Sequence, residues 1–420
     1  MNYRIPEIKW PTPEPDVVAN VMNSGIDLLK EKIGALSQDP NNPLSRVCVA
    51  NSCFSLEPVM GCPLGCAYCV AGNDCRNLIL NDNILISANG KNKISSIIPK
   101  KPQVLFKGDI LAHAMVNHPG FIKDKSIVSV VAGSSEAFLP GVEQETWSTM
   151  KYLIDNGYKN PFWFVIKYGI DDNNVDKWIK RFDEVMNNGS KIVISVTESN
   201  APAWLEPYRQ NRFRNLDKIK KTGVHISHHL RPLIKGINDT EKDIHKSLKK
   251  SVDMVESICV GGLRVDPGIK LLWQHINGLD INLLPKDKPL RKGELPRKDM
   301  SKSFMQKTNK IVQQEKYGIP VFNRSSQMLA YSLDINDFNL YNYRKNDDKY
   351  FLIVGKKVQN DIKKTYGKDI QKILTEIAES IKLDLNINVD GENISIHNKL
   401  NYQEHRLFIH AIGHKNIFLE

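Results

Sequence analysis

Between about residue 125 and residue 265, short runs of β-branched and aromatic residues alternate with polar intervals of helix length. The runs are 126–132, 162–167, 191–197, 225–230 and 257–263, and an earlier one spans 47–60. Each is nearly continuous in apolar character, the pattern of strands buried on both faces. Strands spaced by helical intervals predict βαβ crossovers and a parallel sheet. The stretches 175–186 and 214–221 have helical spacing and serve as examples of the crossovers. Right-handed crossovers of this kind either close toward a barrel or spread into a doubly wound sheet, and both place chemistry at the C-terminal ends of the strands. The unusual polar clusters fall there: GCPLGCAYC, GSSEAF, KYG, TESN, RPLIKG and RVDPG each follow a run.

Outside this region the pattern changes. Residues 280–310 hold three prolines and clustered basic residues, which reads as an exposed basic lid followed by a helix. Farther on, Ile362, Tyr366, Ile370, Ile373, Ile377 and Ile381 recur at helical spacing. Leu385, Ile387 and Val389 then alternate, Asp390–Gly391 turns the chain, and Ile394 and Ile396 continue a hairpin, with 404–413 following. The expected division is an N-terminal arm over 1–45, an α/β unit over 46–335 and a C-terminal α+β appendage over 336–420. No apolar run approaches the roughly 20 residues of a spanning helix, and the N-terminus lacks a basic start and apolar core, so a cytoplasmic protein with no membrane partner is expected.

Charge and cysteine usage sharpen this picture. The chain of 420 residues carries 58 Lys and Arg against 47 Asp and Glu, a formal +11. That excess suits a polyanionic partner, but it equally follows from a general richness in lysine. Six of the seven cysteines lie between 48 and 75, and only Cys259 lies elsewhere. Such crowding, without a secretory signal, points to metal or redox chemistry rather than a disulfide scaffold.

Cys62, Cys66 and Cys69 are spaced C-x3-C-x2-C. A structural zinc site needs four ligands; no second C-x-x-C exists, although Cys48, Cys53 or Cys75 could complete one. Three thiolates without a clear fourth suit a [4Fe–4S] cluster with one iron open. Gly61 and Gly65 would let the loop wrap closely, and Val59, Met60, Leu64 and Val70 would shield the cluster.

The triplet, with Tyr68 before its third cysteine and a strand before its first, resembles the radical S-adenosylmethionine (SAM) enzymes. The resemblance covers about 47–268 and implies a partial (β/α)6 TIM barrel. It also implies a cluster whose open iron is chelated by SAM, and an external one-electron donor of flavodoxin or ferredoxin type. Reductive cleavage of SAM would give a 5′-deoxyadenosyl radical that abstracts hydrogen from the substrate. Within the superfamily, GSSEAFLPGVE, FVIKYG, WLEPYRQNRFRNLDKIKKTG and HHLRPLIKGIND are similar, in order and spacing, to segments of the branch around spore photoproduct lyase.

The resemblance implies roles for single residues. Tyr68 and Gly133–Ser134–Ser135 would border the cofactor, with Glu136 meeting the SAM ammonium and Lys167 its carboxylate. Ser195 and Arg231 would meet carboxylate or ribose, and Ile234, with Gly236, would pass close to adenine. Each has an ordinary counterpart: a strand-end carboxylate, a snorkelling lysine, a satisfied core serine. The lyase's hydrogen-donating cysteine is missing, because Gly133–Ser134–Ser135–Glu136 occupies its segment. Cys75 and Cys259 are the candidate donors, or else inert core cysteines. His113, His118, His228 and His229 lack the acidic partners or helical spacing of a metal site, and the cysteines suffice for one cluster. Substrate entry is expected near Arg264, Asp266 and the lid. A nucleotide or nucleic acid is the first substrate class and a ribosomal peptide precursor, held by the appendage, the second. A non-catalytic iron–sulfur or zinc protein that binds nucleic acid is the reading from another class.

Overall fold

The β-branched runs all become strands, and their neighbours in sequence become their neighbours in space. The computed structural model describes residues 43–49, 53–64, 66, 68 and 69, then 102–263 apart from positions 119, 120, 132, 204, 207 and 209. It continues with 301–335, 341–346, 349–354, 370–380, 382–390, 393–396 and Phe408. Strand β1 (Val47–Val49) pairs antiparallel with β2 (Phe54–Leu56), and β3 (Val59–Met60) pairs antiparallel with β4 (Gln103–Val104). From β2 onward a parallel sheet runs through β5 (Val128–Val130), β6 (Phe162–Ile166), β7 (Ile192–Thr197), β8 (His225–Leu233), β9 (Ser257–Gly262) and β10 (Val321–Phe322). The order β2-β5-β6-β7-β8-β9-β10 never reverses, so the sheet has no switch point of the doubly wound kind.

Helices occupy the polar intervals: α1 (Gly108–Val116), α2 (Glu143–Asp155), α3 (Val175–Asn187), α4 (Leu216–Lys220), α5 (Glu241–Leu248), α6 (Ser301–Gln314) and α7 (Ser325–Leu333). Alternate residues on the strands serve two different faces. Phe162, Phe164 and Ile166 of β6 and Ile192, Ile194 and Val196 of β7 share one apolar cluster with Trp178, Phe182 and Val185 of α3. Phe138 wedges into this layer, its ring centroid 4.7 Å from Trp178 and edge-on to it. The opposite face carries Trp163, Ser195, Ser227, His229 and Cys259, a markedly polar set for buried positions. At the N-terminal ends of the strands α7 covers that face: Met328, Leu329 and Leu333 pack with Cys53, Ile127, Trp163, Val193 and Cys259. Lys191 fixes the far end of α7 by donating to the Leu333 carbonyl at 2.6 Å.

The expected helix over the late isoleucines is α8 (Ile370–Ser380), and the expected hairpin is β13 (Ile387–Asp390) with β14 (Asn393–Ile396), closed at Asp390 opposite Asn393. Two further strands, β11 (Tyr341–Asn346) and β12 (Lys349–Val354), complete a four-stranded antiparallel sheet ordered β11-β12-β14-β13. In β11 the alternation is diluted by Asn, Arg and Lys, whereas β12 is a continuous apolar run from Tyr350 to Val354. Leu374, Ile377, Ala378, Leu385, Ile387 and Phe408 belong to the same apolar cluster as the helix-covered face of the main sheet. The arm before residue 43, the lid before residue 301, and Cys75, Arg264 and Asp266 lie outside the described residues. No helix among the described residues is long and apolar enough to cross a membrane.

His228 shows how tightly the sheet holds polar groups. It is fully buried, with Nε2 2.8 Å from the Glu198 carbonyl and Nδ1 2.8 Å from Ser251 Oγ. The carbonyl can only accept, so Nε2 carries the proton and Nδ1 accepts from the serine. Burial pushes the imidazole down from its usual 6.5 to about 4. Between those values an unfolded chain binds a proton that the folded chain refuses, so stability falls as pH drops through this window. Urea unfolding is expected to lose about 3 kcal/mol from this group between pH 7 and pH 4, and His228→Asn should flatten that dependence. An unchanged pH slope in the variant would refute the assignment.

Candidate active site

The cysteine segment leaves the C-terminal end of β2, the first strand of the parallel set. Its path is set by a buried carboxylate. Glu57 Oε1 accepts from Ser55 Oγ at 2.6 Å and from the Gly133 N–H at 2.8 Å, and Ser134 Oγ lies 2.5 Å from Oε2. Gly61, at φ +111°, takes a turn that an L side chain rarely adopts. Its N–H donates to the Ser134 carbonyl at 3.0 Å, and Ser135 Oγ donates to its carbonyl. Val131, the residue after strand β5, sits at φ +59°, strained for a β-branched residue by about 1–3 kcal/mol. That conformation throws 133–136 back over the cysteine loop, and the Val131 N–H anchors it on the Leu56 carbonyl at 2.7 Å. Gly133, Ser134 and Ser135, expected at a cofactor, thus fasten the loop that carries the cysteines.

Cys62, Cys66 and Cys69 are all free thiols, and the Cys69 N–H donates to the Cys66 carbonyl at 3.1 Å. Burial pushes the Cys62 thiol up strongly and Cys66 to about 11, with Glu136 adding to the rise at Cys62 and Lys167 opposing it at Cys66. Cys66 and Cys69 add to the rise at Cys62, and Cys69 adds to that at Cys66, so the three sulfurs lie within electrostatic reach of one another. Among the described residues no group of three or more His, Cys, Asp or Glu side chains is gathered into a ready-made metal site. The donor set nevertheless fits a soft, thiolate-bound centre. It offers three unpaired thiols on one short loop and a cation 3.5 Å from Cys66 Sγ, on Lys167 Nζ, that offsets thiolate charge.

That cation belongs to a chain of alternating charges. Lys167 Nζ donates to Tyr68 Oη at 2.5 Å and to Glu206 Oε1 at 2.7 Å, and it lies 4.2 Å from the Tyr68 ring centroid. The Tyr68 hydroxyl also donates to Glu206 Oε1. Arg212 reaches Glu206 Oε2 at 2.7 Å with Nη2 and Glu198 Oε2 at 3.3 Å with Nε, and Lys250 closes the row on Glu198 Oε1 at 2.8 Å. Burial alone would raise the Glu206 carboxyl, but the Lys167 and Arg212 cations outweigh it and hold it at about 2. Glu136 differs. Its Oε2 accepts from the backbone N–H groups of Lys167 at 2.7 Å and Tyr168 at 3.2 Å, yet burial prevails and lifts it to about 7.

Tyr68, Glu136 and Lys167 therefore gather with the cysteines, whereas other expected residues do not. Ser195 is fully buried; its hydroxyl accepts from Trp163 Nε1 at 2.8 Å and shares a 2.8 Å bond with Ser227 Oγ, the satisfied core serine. Ile234 is buried just past β8, its N–H given to Asn238 Oδ1 at 2.7 Å. Arg231 turns to Cys259 and Ser325, and Cys259 itself is fully buried beside α7. His228 and His229 point to opposite faces of β8 and share no metal geometry. Sequence reading missed Glu57, Glu198, Glu206 and Arg212 as single residues. The available signal was their position, an acid one residue past β2 or β7 and a charged run before α4. No protein-family model matches this chain, and no curated protein is similar enough to count as a match.

Glu206→Gln should remove the negative charge from between two buried cations, turn an NH2 donor toward one of them, and destabilise the fold by about 3–5 kcal/mol. Adding Lys167→Met should recover part of that loss. Urea unfolding of the two variants checks both, and a single variant within about 1 kcal/mol of wild type would contradict the network.

Proposed function

We propose that this chain is a radical SAM enzyme, with Cys62, Cys66 and Cys69 holding a [4Fe–4S] cluster at the C-terminal end of the parallel sheet. The observation that carries the reading is the convergence of the free cysteine loop with Lys167 and Glu136, which come from the next two parallel strands and the loop between them. The unreversed strand order supports a partial (β/α) barrel, and the polar second face supports a substrate chamber. When bound, the cluster supplies the electron that cleaves SAM to methionine and a 5′-deoxyadenosyl radical, which takes a hydrogen atom from the substrate.

This chain's own residues do the holding. The ionised Glu136 carboxylate accepts the SAM ammonium in a charge-assisted bond, and Lys167 presents an ammonium to the SAM carboxylate beside Cys66. Tyr68 and Glu206 keep that lysine in place. The wall of buried Met60, Leu64 and Tyr68 limits water at the cysteines. A flavodoxin- or ferredoxin-type protein of the cytoplasm would deliver the electron, and a nucleotide or nucleic acid is the favoured substrate class.

Anaerobic reconstitution should give about four irons and four sulfides per chain, and Cys62→Ala, Cys66→Ala or Cys69→Ala should each abolish them. Reduced protein given SAM should release 5′-deoxyadenosine. Stoichiometric zinc without iron–sulfur absorbance would instead favour the non-catalytic metal protein.

Glu136 adds a pH dependence. Below about 7 it must shed a proton to receive an ammonium, so SAM affinity should rise by up to about tenfold per pH unit toward pH 7 and level off above it. Glu136→Gln should remove the dependence. Equilibrium dialysis at several pH values measures it, and a flat wild-type profile would place the ammonium elsewhere.

A further inference from the structure

The second face of the sheet holds a group of donors that the cofactor chemistry leaves unused. Arg231 projects from β8 across β9 toward the first turn of α7, donating from Nη2 to Cys259 Sγ at 2.8 Å and to Ser325 Oγ at 3.0 Å. Its Nε is buried with no partner. Arg212 and Arg214 meet carboxylates, but among the described residues Arg231 meets none. Its position is enforced by Gly261, where a Cβ would stand 2.7 Å from Nε.

Three further features lie on the elements that flank that guanidinium. Ser325 opens α7, and its N-cap residue Arg324 makes no capping bond to the first-turn N–H groups, because an arginine side chain has no acceptor. Ser326, next in that turn, is 1% exposed and its hydroxyl has no partner. His229, two residues before Arg231 on the same face of β8, is also 1% exposed, and its Nε2 has no partner. A helix N-terminus presents bare N–H groups and a partial positive charge. Combined with a guanidinium that meets no carboxylate among the described residues and with orphaned buried polar atoms, it forms a donor set that awaits an acceptor.

We propose that this place, where β8, β9 and the start of α7 meet, binds a phosphate group of the substrate. Donors arrive from a strand and from a helix end rather than in one plane. They suit a tetrahedral phosphate better than a planar carboxylate. The Ser325 hydroxyl and the Cys259 thiol hold the guanidinium until the anion arrives. Its place on the polar second face, beyond the cysteine segment, makes it a substrate anchor and not a part of the cofactor cage. Phosphate binding itself needs neither cluster nor SAM; its assignment to the substrate rests on the radical SAM reading.

Inorganic phosphate is the probe, titrated by calorimetry into the full chain at constant ionic strength, with sodium acetate and sodium chloride as the other arms. The same titrations are run on Cys62→Ala protein, so that a missing cluster and a missing anion site give separate results. Saturable phosphate binding with one site per chain is expected in both proteins, with acetate at least about tenfold weaker and chloride inert. Arg231→Gln and Ser326→Ala should each weaken phosphate by about tenfold, the effect of one charge-assisted hydrogen bond. Gly261→Ala, which displaces the guanidinium while keeping every charge, should weaken it too. Circular dichroism confirms that each variant is folded. Absence of saturable phosphate binding, acetate binding as tight as phosphate, or wild-type affinity in all of the folded variants would overturn the proposal.

Discussion

One buried carboxylate, Glu206, holds the candidate site together. It lies between the Lys167 ammonium at 2.7 Å and the Arg212 guanidinium at 2.7 Å, and it also takes the Tyr68 hydroxyl. These partners come from the end of β6, the approach to α4 and the cysteine segment. A single acceptor therefore binds three separately folded stretches of chain to one another. The arrangement is sustainable only because the charges alternate. Arg212 is shared with Glu198, and Glu198 with the half-exposed Lys250, so the row runs from the buried site out to solvent. Remove the acceptor and two cations lose their compensation in a place where water cannot replace it.

A second carboxylate, Glu57, performs the matching task on the other side. It collects the Ser55 hydroxyl, the Gly133 N–H and the Ser134 hydroxyl, and so joins the exit of β2 to the loop after β5. The strained Val131 is tolerated because this loop is fastened at both ends. The cysteine segment is thus shaped by hydrogen bonds from its neighbours and not by its own helix or strand. Loops held in this way on a rigid sheet are the usual carriers of chemistry in parallel α/β proteins.

The two faces of the sheet divide the labour. On one, phenylalanines, isoleucines and Trp178 form the dry layer under the helices. On the other, Trp163, Ser195, Ser227, His229, Arg231 and Cys259 make a polar interior whose N-terminal end is closed by α7. An interior of this composition is a poor way to stabilise a core and a good way to receive a polar ligand. The cofactor proposal uses its rim, and the phosphate proposal uses its depth. Both draw on polar groups held by the same sheet.

The sequence by itself determined the strands from 126 onward, the α/β class, the late helix and hairpin, and the cysteine triplet. Each is written in local periodicity or spacing: apolar runs of strand length, isoleucines at helical intervals, cysteines four and three residues apart. The residues that the resemblance sets at the cofactor are brought together only in part. Tyr68, Glu136 and Lys167 meet at the cysteines, whereas Ser195 is spent on Trp163 and Ser227, and Arg231 faces Cys259 and Ser325. Only the tertiary structure decided which charges pair, because Lys167 and Glu206 are 39 residues apart and Gly133 and Glu57 are 76 apart. It alone decided that α7 closes the polar face, since nothing in SSQMLAYSL says which strands will lie beneath it. Periodicity encodes what a segment is and which side it buries. Partners across the fold are set by chain topology and by the need to satisfy every buried charge, and no short window of sequence contains either.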